Sequence, residues 1–172
     1  MKFNAALTIG ATGMLKGALD FTLANAVTTH IVSRHAERDF ADQGLPHSLD
    51  YADNSNFVNT LQARIPLPSI DLCLLWMHDS GNTAAMALLE ALSNQDILIV
   101  HIAGSAAGDP TRQLENVGRR ISFGPACTYC PVILGNMPDG DTSRWLTHKE
   151  ISKGAMDAIT TGHPQMVGNP LS

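Results

Sequence analysis

A glycine turn near the N-terminus constrains the fold more than any other stretch of this 172-residue chain. An apolar run over residues 3–9 leads into Gly10, two residues separate Gly10 from Gly13, and an amphipathic segment follows at once. This order of strand, glycine turn and helix is typical of phosphate-binding turns, because the helix directs its free N–H groups and its dipole at the phosphate. We interpret Gly10 as closing the turn and Gly13 as the point where a pyrophosphate approaches the backbone. A purely structural turn is the alternative.

Apolar runs and amphipathic segments alternate along most of the chain. Successive strand–helix units predict an α/β fold in which a doubly wound, mostly parallel sheet of about six strands lies between two layers of helices, as in Rossmann-like domains. Residues 1–172 are predicted to form one such domain. In this fold a ligand crevice lies at the carboxyl ends of the strands, where the strand order reverses. Strands are predicted at 3–9, 28–33, 47–49, 70–77 and 96–102, and helices at 14–25, 54–64 and 82–93.

The C-terminal part gives a less uniform pattern. Residues 103–116 are predicted to be a loop with at most a short helical turn, and residues 119–135 a hairpin or a bent sixth strand interrupted by Gly124 and Pro125. The last helix has clear limits, since Thr147 and Glu150 form a capping box and Gly162 stops the helix. Its apolar stripe comprises Ile151, Ala155, Ala158 and Ile159.

The alanine-rich helix at 82–93 is apolar on almost every side. Such a helix is either fully buried or packed against another subunit. Packing against another subunit predicts a homodimer that forms through the Asn82–Ser93 helix.

Composition and charge exclude several classes of function. Sixteen acidic residues against eleven basic ones give a net charge of −5, which argues against nucleic acid as a partner. With 44% apolar and 16% charged residues the chain is typical of soluble globular proteins. No apolar stretch reaches the about 18 residues of a membrane span, and the N-terminus lacks a signal-peptide pattern. Three cysteines form no disulfide framework, so a reducing cytoplasm is the expected setting.

Ser33 and Arg34 follow the second predicted strand, about twenty residues after the glycine turn. An NAD-preferring site would place Asp or Glu here to bind the ribose hydroxyls. A hydroxyl and a guanidinium suit a 2′-phosphate instead, so the sequence predicts NADP(H) in preference to NAD(H). A solvated arginine on a polar loop is the alternative.

Two further loops follow predicted strands. Asp50 and Tyr51 are placed to contact an adenine, although Asp50 could equally cap the next helix. Trp76 and His78 end the fourth strand, close to the expected reactive end of a dinucleotide. His78 is the best candidate for a general acid or base, because its pKa range lies near neutrality. The alternative is a loop histidine bonded to Asp79 or to the backbone.

The remaining histidine and cysteine candidates favour structural roles. We predict His101 to be a satisfied histidine of the core or the sheet end. The lone Cys127-x-x-Cys130 pair lacks both the helix N-terminus of a redox motif and the second ligand pair of a zinc site. Cys73 lies in a buried strand and is expected to be inert. No metal site is predicted.

The chain resembles the short-chain dehydrogenase/reductase superfamily, in particular its small, truncated members. The resemblance rests on the segment from Gly10 to Leu15, on Ser33-Arg34, and on Leu49-Asp50 before a polar helix; it extends from the start of the chain to the end of the fifth strand. The 144–152 segment also looks like a feature of that small group. The resemblance implies pyrophosphate contacts by Gly10, Thr12, Gly13, Met14 and Leu15, 2′-phosphate contacts by Ser33 and Arg34, and adenine contacts by Asp50 and Tyr51.

The sequence departs from the family pattern in its catalytic part. Lys16 stands in place of a third glycine, with Gly17 one position later, and the Asn-Asn-Ala-Gly segment after the fourth strand is replaced by residues 78–81. The family's Tyr-x-x-x-Lys pair is absent, since Ser55 lies four residues after Tyr51 and Ile133 four residues after Tyr129.

Two functions are compatible with these departures. One is an NADP-dependent oxidoreductase of a small carbonyl or alcohol substrate, with His78 as its acid. The other is a catalytically silent NADP(H)-binding redox sensor or regulatory protein.

Overall fold

A seven-stranded parallel sheet organises the structure, a computed structural model that describes residues 3–52, 56–104, 110–140 and 142–169. Its strands are β1 (Phe3–Ile9), β2 (Ala26–Ser33), β3 (Leu45–Ser48), β4 (Leu72–Leu75), β5 (Ile97–Ala103), β6 (Cys127–Leu134) and β9 (Gln165–Val167). A separate antiparallel hairpin contains β7 (Asn136–Asp139) and β8 (Thr142–Trp145). The helices are α1 (Lys16–Asn25), α2 (Ala36–Asp39), α3 (Phe57–Gln62), α4 (Asn82–Leu92), α5 (Pro110–Arg120) and α6 (His148–Thr161).

The strand order β3-β2-β1-β4-β5-β6-β9 places the reversal of the sheet between β1 and β4. The chain runs outward from β1 through β2 to β3, then crosses back to β4 on the other side of β1. Ile9, near the carboxyl end of β1, pairs with Val32 on one side and with Leu75 on the other. The crevice that a doubly wound sheet uses for ligands therefore opens at the ends of β1, β2 and β4.

Side chains of β4 alternate between the two apolar layers that cover the sheet. Leu72 and Leu74 pack with the layer that includes α1 and α6, whereas Cys73 and Leu75 pack with the layer that includes α3 and α4. All of them are buried. This double burial explains the continuous apolar run of the fourth strand, because a central parallel strand faces no water. The predicted three-layer, doubly wound fold is confirmed.

The prediction of a loop at 103–116 is wrong for residues 110–116, which belong to the helix α5. Val117 and Ile121 are buried at helical spacing, and Leu114 is half-buried one turn earlier. This apolar stripe is short and contains Gly118, and the two arginines after it lie where the sequence predicts strand structure. The sixth strand accordingly begins at Cys127 rather than at residue 119. Residues 105–109 of the predicted loop lie outside the described residues.

Several boundaries differ from the predicted ones without changing the topology. The described part of the third helix begins at Phe57, while Asn54 and Ser55 lie outside the described residues. The hairpin of β7 and β8 and the edge strand β9 were not predicted, because they are short and mostly exposed. Within the described ranges, no helix is long and apolar enough to cross a membrane.

The last helix begins and ends as predicted. The Thr147 hydroxyl accepts the Glu150 N–H, and the Glu150 carboxylate accepts the Thr147 N–H, which completes the capping box. The same carboxylate binds both terminal nitrogens of Arg144 at 2.8 and 3.0 Å, and therefore joins β8 to α6. Gly162 ends the helix in a left-handed conformation with φ 66°.

Candidate functional site

A cleft of about 380 Å³ lies where β1, β2 and β4 end. It collects residues from the glycine turn, from the end of β2, and from the loops that follow β3 and β4. Every described residue that lines the cleft is one that the sequence predicts for a site. These residues are Gly10, Thr12, Gly13, Met14, Ser33, Arg34, Tyr51, Trp76 and His78. Leu15 and Asp50 are the predicted residues that are not part of this lining.

The packing and backbone conformation of the protein require a glycine at position 10, whether or not a ligand binds. Its backbone is left-handed, with φ 70°, and a Cβ built on it would lie 2.0 Å from the carbonyl oxygen of Trp76. The Gly10 N–H donates to the carbonyl of Val32 at 3.2 Å. The turn is thus fixed against the neighbouring strand ends, and only glycine fits there.

Gly13 differs from Gly10, because no atom lies within 4 Å of an added Cβ and its φ is outside the left-handed region. Packing within the described protein therefore gives no reason for a glycine. The next turn of chain starts α1, whose N-terminus has no side-chain cap and no acidic residue in its first turn. Open space beside uncapped helix N–H groups fits a bound phosphate group, which needs close backbone approach.

Leu15 and Met14 follow the turn and are held by the protein core. The Leu15 side chain is fully buried, so only its backbone could contact a ligand in the cleft. The Met14 carbonyl accepts a hydrogen bond from the Ser152 hydroxyl of α6 at 3.2 Å. A Cβ at Gly17 would lie 3.1 Å from the Ser152 Cβ, so α1 and α6 pack closely at this point. The last helix therefore supports the glycine turn from behind.

Arg34 is the cation nearest to the end of β2 in the lining of the cleft. Its side chain is exposed and makes no ion pair with any residue in the described ranges. Arg38, four residues later, instead binds Asp39 at 2.7 Å. Ser33 is half-buried beside Arg34. The hydroxyl and the free guanidinium thus stand together at one end of the cleft, as a 2′-phosphate site would require.

The structure separates the two residues predicted to contact an adenine. Asp50 is exposed, and its carboxylate accepts the Ala52 N–H at 3.0 Å. This contact closes a local turn, and the described part of α3 shows no side-chain cap from Asp50. Tyr51 lines the cleft, packs edge-on against Phe57 with ring centroids 6.4 Å apart, and accepts the His78 N–H at 3.4 Å.

His78 stands exposed at the rim of the cleft. Its ring lies edge-on to Trp76, with centroids 5.5 Å apart, and its imidazole makes no hydrogen bond to the part of the chain that the structure describes. The predicted alternative of a bond to Asp79 is not present, since the Asp79 carboxylate accepts the Asn82 side-chain amide at 2.6 Å. The exposed His78 imidazole therefore borders the cleft, where a bound ligand could contact it.

Trp76 also lines a second cavity of about 180 Å³ on the α6 side of the sheet. Its walls are mostly apolar and include Leu134, Trp145, Leu146 and Ile151. Trp145 is 58% exposed, which is unusual for so large an apolar ring. Sequence reasoning missed this cavity, because its walls come from β6, the hairpin and α6, which only the folded chain brings together.

The other histidine and cysteine candidates hold structural positions, as predicted. His101 is buried and its Nδ1 lies 2.8 Å from the Tyr129 hydroxyl. Burial lowers the pKa of His101 to about 4. Cys127 and Cys130 are free and pack into opposite layers of the sheet, so they cannot form a redox pair. Burial raises the pKa of the Cys73 thiol to about 12.

Solved structures of known proteins share this fold across nearly the whole chain. A short-chain dehydrogenase from Burkholderia cenocepacia, solved with NADP, matches with TM-score 0.65 and 13% identity over 98% of this chain and 89% of that one. The chain has the fold of the short-chain dehydrogenases/reductases. A short-chain oxidoreductase from Brucella ovis, solved with a partially ordered NAD, matches with TM-score 0.66 and 13% identity over 97% and 100% of the two chains.

A third structure with this fold is the FolM alternative dihydrofolate reductase 1 from Brucella canis, solved with NADP. It matches with TM-score 0.62 and 13% identity over 96% of this chain and 92% of that one. No protein-family model and no curated protein matches the sequence. At these identities the likeness establishes the fold, so the ligand and the chemistry must be argued from the residues of the cleft. Among the described residues, no group of three or more His, Cys, Asp or Glu could hold a metal ion.

Proposed function

We propose that the chain is a small member of the short-chain dehydrogenase/reductase superfamily that binds NADP(H) and oxidises or reduces a small alcohol or carbonyl compound. The observation that carries this proposal is the cleft at the strand-order reversal. Its lining combines the glycine turn, an exposed His78, and an Arg34 that makes no ion pair with the residues the structure describes. The likeness of the fold to structures solved with NADP or NAD supports it.

The residues of the cleft fit a dinucleotide phosphate. The turn from Gly10 to Met14 would hold the pyrophosphate, with the open space at Gly13 allowing it to reach the backbone. For Leu15, the contact would come from its N–H, since its side chain is buried. Ser33 and Arg34 would bind the 2′-phosphate, which makes NADP(H) the preferred cofactor. Tyr51 would border the adenine, with Asp50 at the edge of that position.

The chain would contribute proton transfer and substrate placement. A bound NADP(H) supplies or accepts hydride. His78 would give a proton to, or take one from, the substrate oxygen. Trp76 lies beside His78 and borders the apolar cavity, so the body of a small substrate would occupy that cavity. Tyr129 cannot replace the family's tyrosine, because its hydroxyl contacts the buried His101.

A steady-state assay tests the enzymatic part of this proposal. NADPH oxidation is followed with a panel of small ketones, aldehydes and quinones, for the wild type, for His78→Ala, and for His163→Ala as an exposed histidine outside the cleft. We expect kcat to fall about 100-fold in His78→Ala, with little change in the KM for NADPH, because general acid–base catalysis is worth at least that factor. Equal rates for both variants would remove His78 from the mechanism.

The missing Tyr-x-x-x-Lys pair favours a second function, that of a catalytically silent NADP(H)-binding redox sensor or regulatory protein. Tight NADPH binding without turnover on any member of the panel would support it. A reducing cytoplasm remains the predicted setting, consistent with three free cysteines.

A homodimer through the Asn82–Ser93 helix also remains a proposal. Ala84, Leu88 and Leu92 bury one side of α4 within the chain, while Thr83 and Ala87 stay exposed. The exposed side is thus the surface available to a second copy. A monomeric sedimentation profile at working concentration would exclude this dimer.

A further inference from the structure

A cavity of about 240 Å³ lies between α4, α5 and β5, in the layer of the sheet opposite α1 and α6. The proposed cofactor function makes no use of it. Met86 and Val117 supply apolar wall, and the polar part comes from His101, Asn116 and Arg120 among others. No Asp or Glu is found among the described residues that line it. The cavity therefore combines an apolar body with a polar, cationic end.

The contact with Tyr129 indicates which ring nitrogen of His101 carries the proton. Burial raises the pKa of the Tyr129 phenol, so the phenol keeps its proton. Within the described ranges, the hydrogen-bond partner of that hydroxyl is His101 Nδ1, at 2.8 Å. The half-buried phenol has no other acceptor within those ranges, so the arrangement that uses its proton is the one in which Nδ1 accepts and the ring proton sits on Nε2.

His101 is only 8% exposed and lines the cavity, yet its Nε2–H has no partner among the described residues. Burial lowers the pKa of the ring to about 4, so at neutral pH the imidazole is an uncharged donor. Within the described residues, the buried side-chain atom without a hydrogen-bond partner is Gln95 Oε1, so His101 Nε2 is within reach of water in the cavity. An acceptor group of a ligand that enters the cavity would take the place of that water.

Arg120 supplies the charge at the same cavity. It lies in the last turn of α5 and makes no ion pair within the described part of the chain. Its neighbour Arg119 points elsewhere and binds Glu115 at 3.4 Å. Arg120 thus differs from Arg119 in two respects: it lines the cavity, and no described carboxylate binds its guanidinium, which is the kind of group that binds an anion.

We propose that this cavity binds a small monocarboxylate with a short apolar body. The carboxylate would accept from the Arg120 guanidinium and from His101 Nε2–H, and the apolar body would pack against Met86 and Val117. The volume is below the 300–1,000 Å³ typical of sites for drug-sized ligands, so the ligand is about the size of benzoate or smaller. A carboxylate is favoured over a neutral molecule because charge-assisted hydrogen bonds are about twice as strong as neutral ones.

The site can be tested without any nucleotide, so its failure is distinct from failure of the proposed function. The full chain is titrated with benzoate and, as a neutral molecule of similar shape, with benzamide, and binding is followed by amide NMR shifts. We expect saturable shifts at Val117 and Arg120 with benzoate, and affinity for benzamide about tenfold weaker. Shifts confined to the glycine turn, or no saturable shifts, would overturn the proposal.

Matched variants locate the binding groups. Arg120→Gln should weaken benzoate binding about tenfold, whereas Arg119→Gln, an exposed control one residue away, should leave it within about twofold. Tyr129→Phe should weaken binding too, because the His101 proton is then no longer held on Nε2. Equal effects of the two arginine variants would overturn the assignment of Arg120, and strong binding by Tyr129→Phe would overturn that of His101.

Discussion

The cleft at the glycine turn and the cavity between α4 and α5 are built in different ways. The cleft is formed by short segments that each follow a strand, and its shape depends on backbone at Gly10 and Gly13. The cavity is formed mainly by side chains of two helices and a strand, and its wall includes the buried His101, which is bonded to Tyr129 behind it. The first kind of site follows from topology, because strand ends of a parallel sheet converge. The second depends on how particular side chains pack.

The largest expected effect contrasts the two glycines of the cleft. Gly10→Ala should lower the free energy of unfolding by about 3 kcal/mol or more, because a left-handed residue with a Cβ is strained and here also meets the Trp76 carbonyl. Gly13→Ala should leave it unchanged or raise it by up to about 1 kcal/mol, because the added methyl meets open space and restricts the unfolded chain. Denaturant unfolding of both variants measures the difference. Similar losses in the two would mean that Gly13 also serves the packing of the protein.

Acid should destabilise the folded chain through His101, which lies in the wall of the cavity. Its pKa is about 4 in the folded chain against a usual 6.5, so the folded state resists protonation that the unfolded state accepts. Stability is therefore full above pH 6.5 and falls as the pH drops toward 4, by about 3 kcal/mol in all from this group. Burial also lowers the pKa of His30 and His47, which adds to the acid loss.

Denaturant unfolding between pH 7 and pH 4 separates these contributions. In a His101→Gln variant, the stability loss on acidification that is due to His30 and His47 should remain, and the loss that is due to His101 should disappear. The quantity compared between the variant and the wild type is the change in the free energy of unfolding from pH 7 to pH 4. An unchanged pH dependence in this variant would show that His101 is protonated as readily in the folded chain as in the unfolded one.

A smaller effect should distinguish the cofactors at the far end of the cleft. Arg34→Ala should weaken NADPH binding about tenfold and leave NADH binding within about twofold, because only NADPH carries the 2′-phosphate. Arg38→Ala is the control, since Arg38 is held by Asp39 and lies outside the cleft lining. Calorimetric titration measures the affinity of each variant for NADPH and for NADH, for comparison with the wild type. Equal losses for the two nucleotides would show that Arg34 binds a part common to both.

The cleft could be predicted from sequence because its residues follow local signals. A glycine pair after an apolar run, and polar residues after each strand, are readable without knowing any long-range contact. Leu15 remains a predicted pyrophosphate contact, and because its side chain is buried against the sheet, that contact would have to come from its backbone. The tight fit of Gly10 against Trp76 was likewise not visible, because the two residues are distant in the chain.

The cavity could not be predicted, because nothing in the sequence shows that its residues come together in the folded chain. The sequence predicts strand structure from residue 119 onward, whereas Arg120 lies in the last turn of α5, so its position at the cavity does not follow from the sequence pattern. His101 was predicted to be satisfied, and its Nδ1 is, but its partner Tyr129 lies 28 residues away on the neighbouring strand. Strand register and helix packing decide such contacts, and neither has a local signature.

Calorimetric titration of the wild type and of Gly13→Ala with NADPH and with NADH tests the central claim most directly. The cleft as described predicts micromolar NADPH binding by the wild type, NADH binding about tenfold weaker, and loss of at least about tenfold in NADPH affinity for a Gly13→Ala variant that remains folded. No binding of either nucleotide by the wild type, or an unaltered affinity in Gly13→Ala, would contradict a dinucleotide site at this turn.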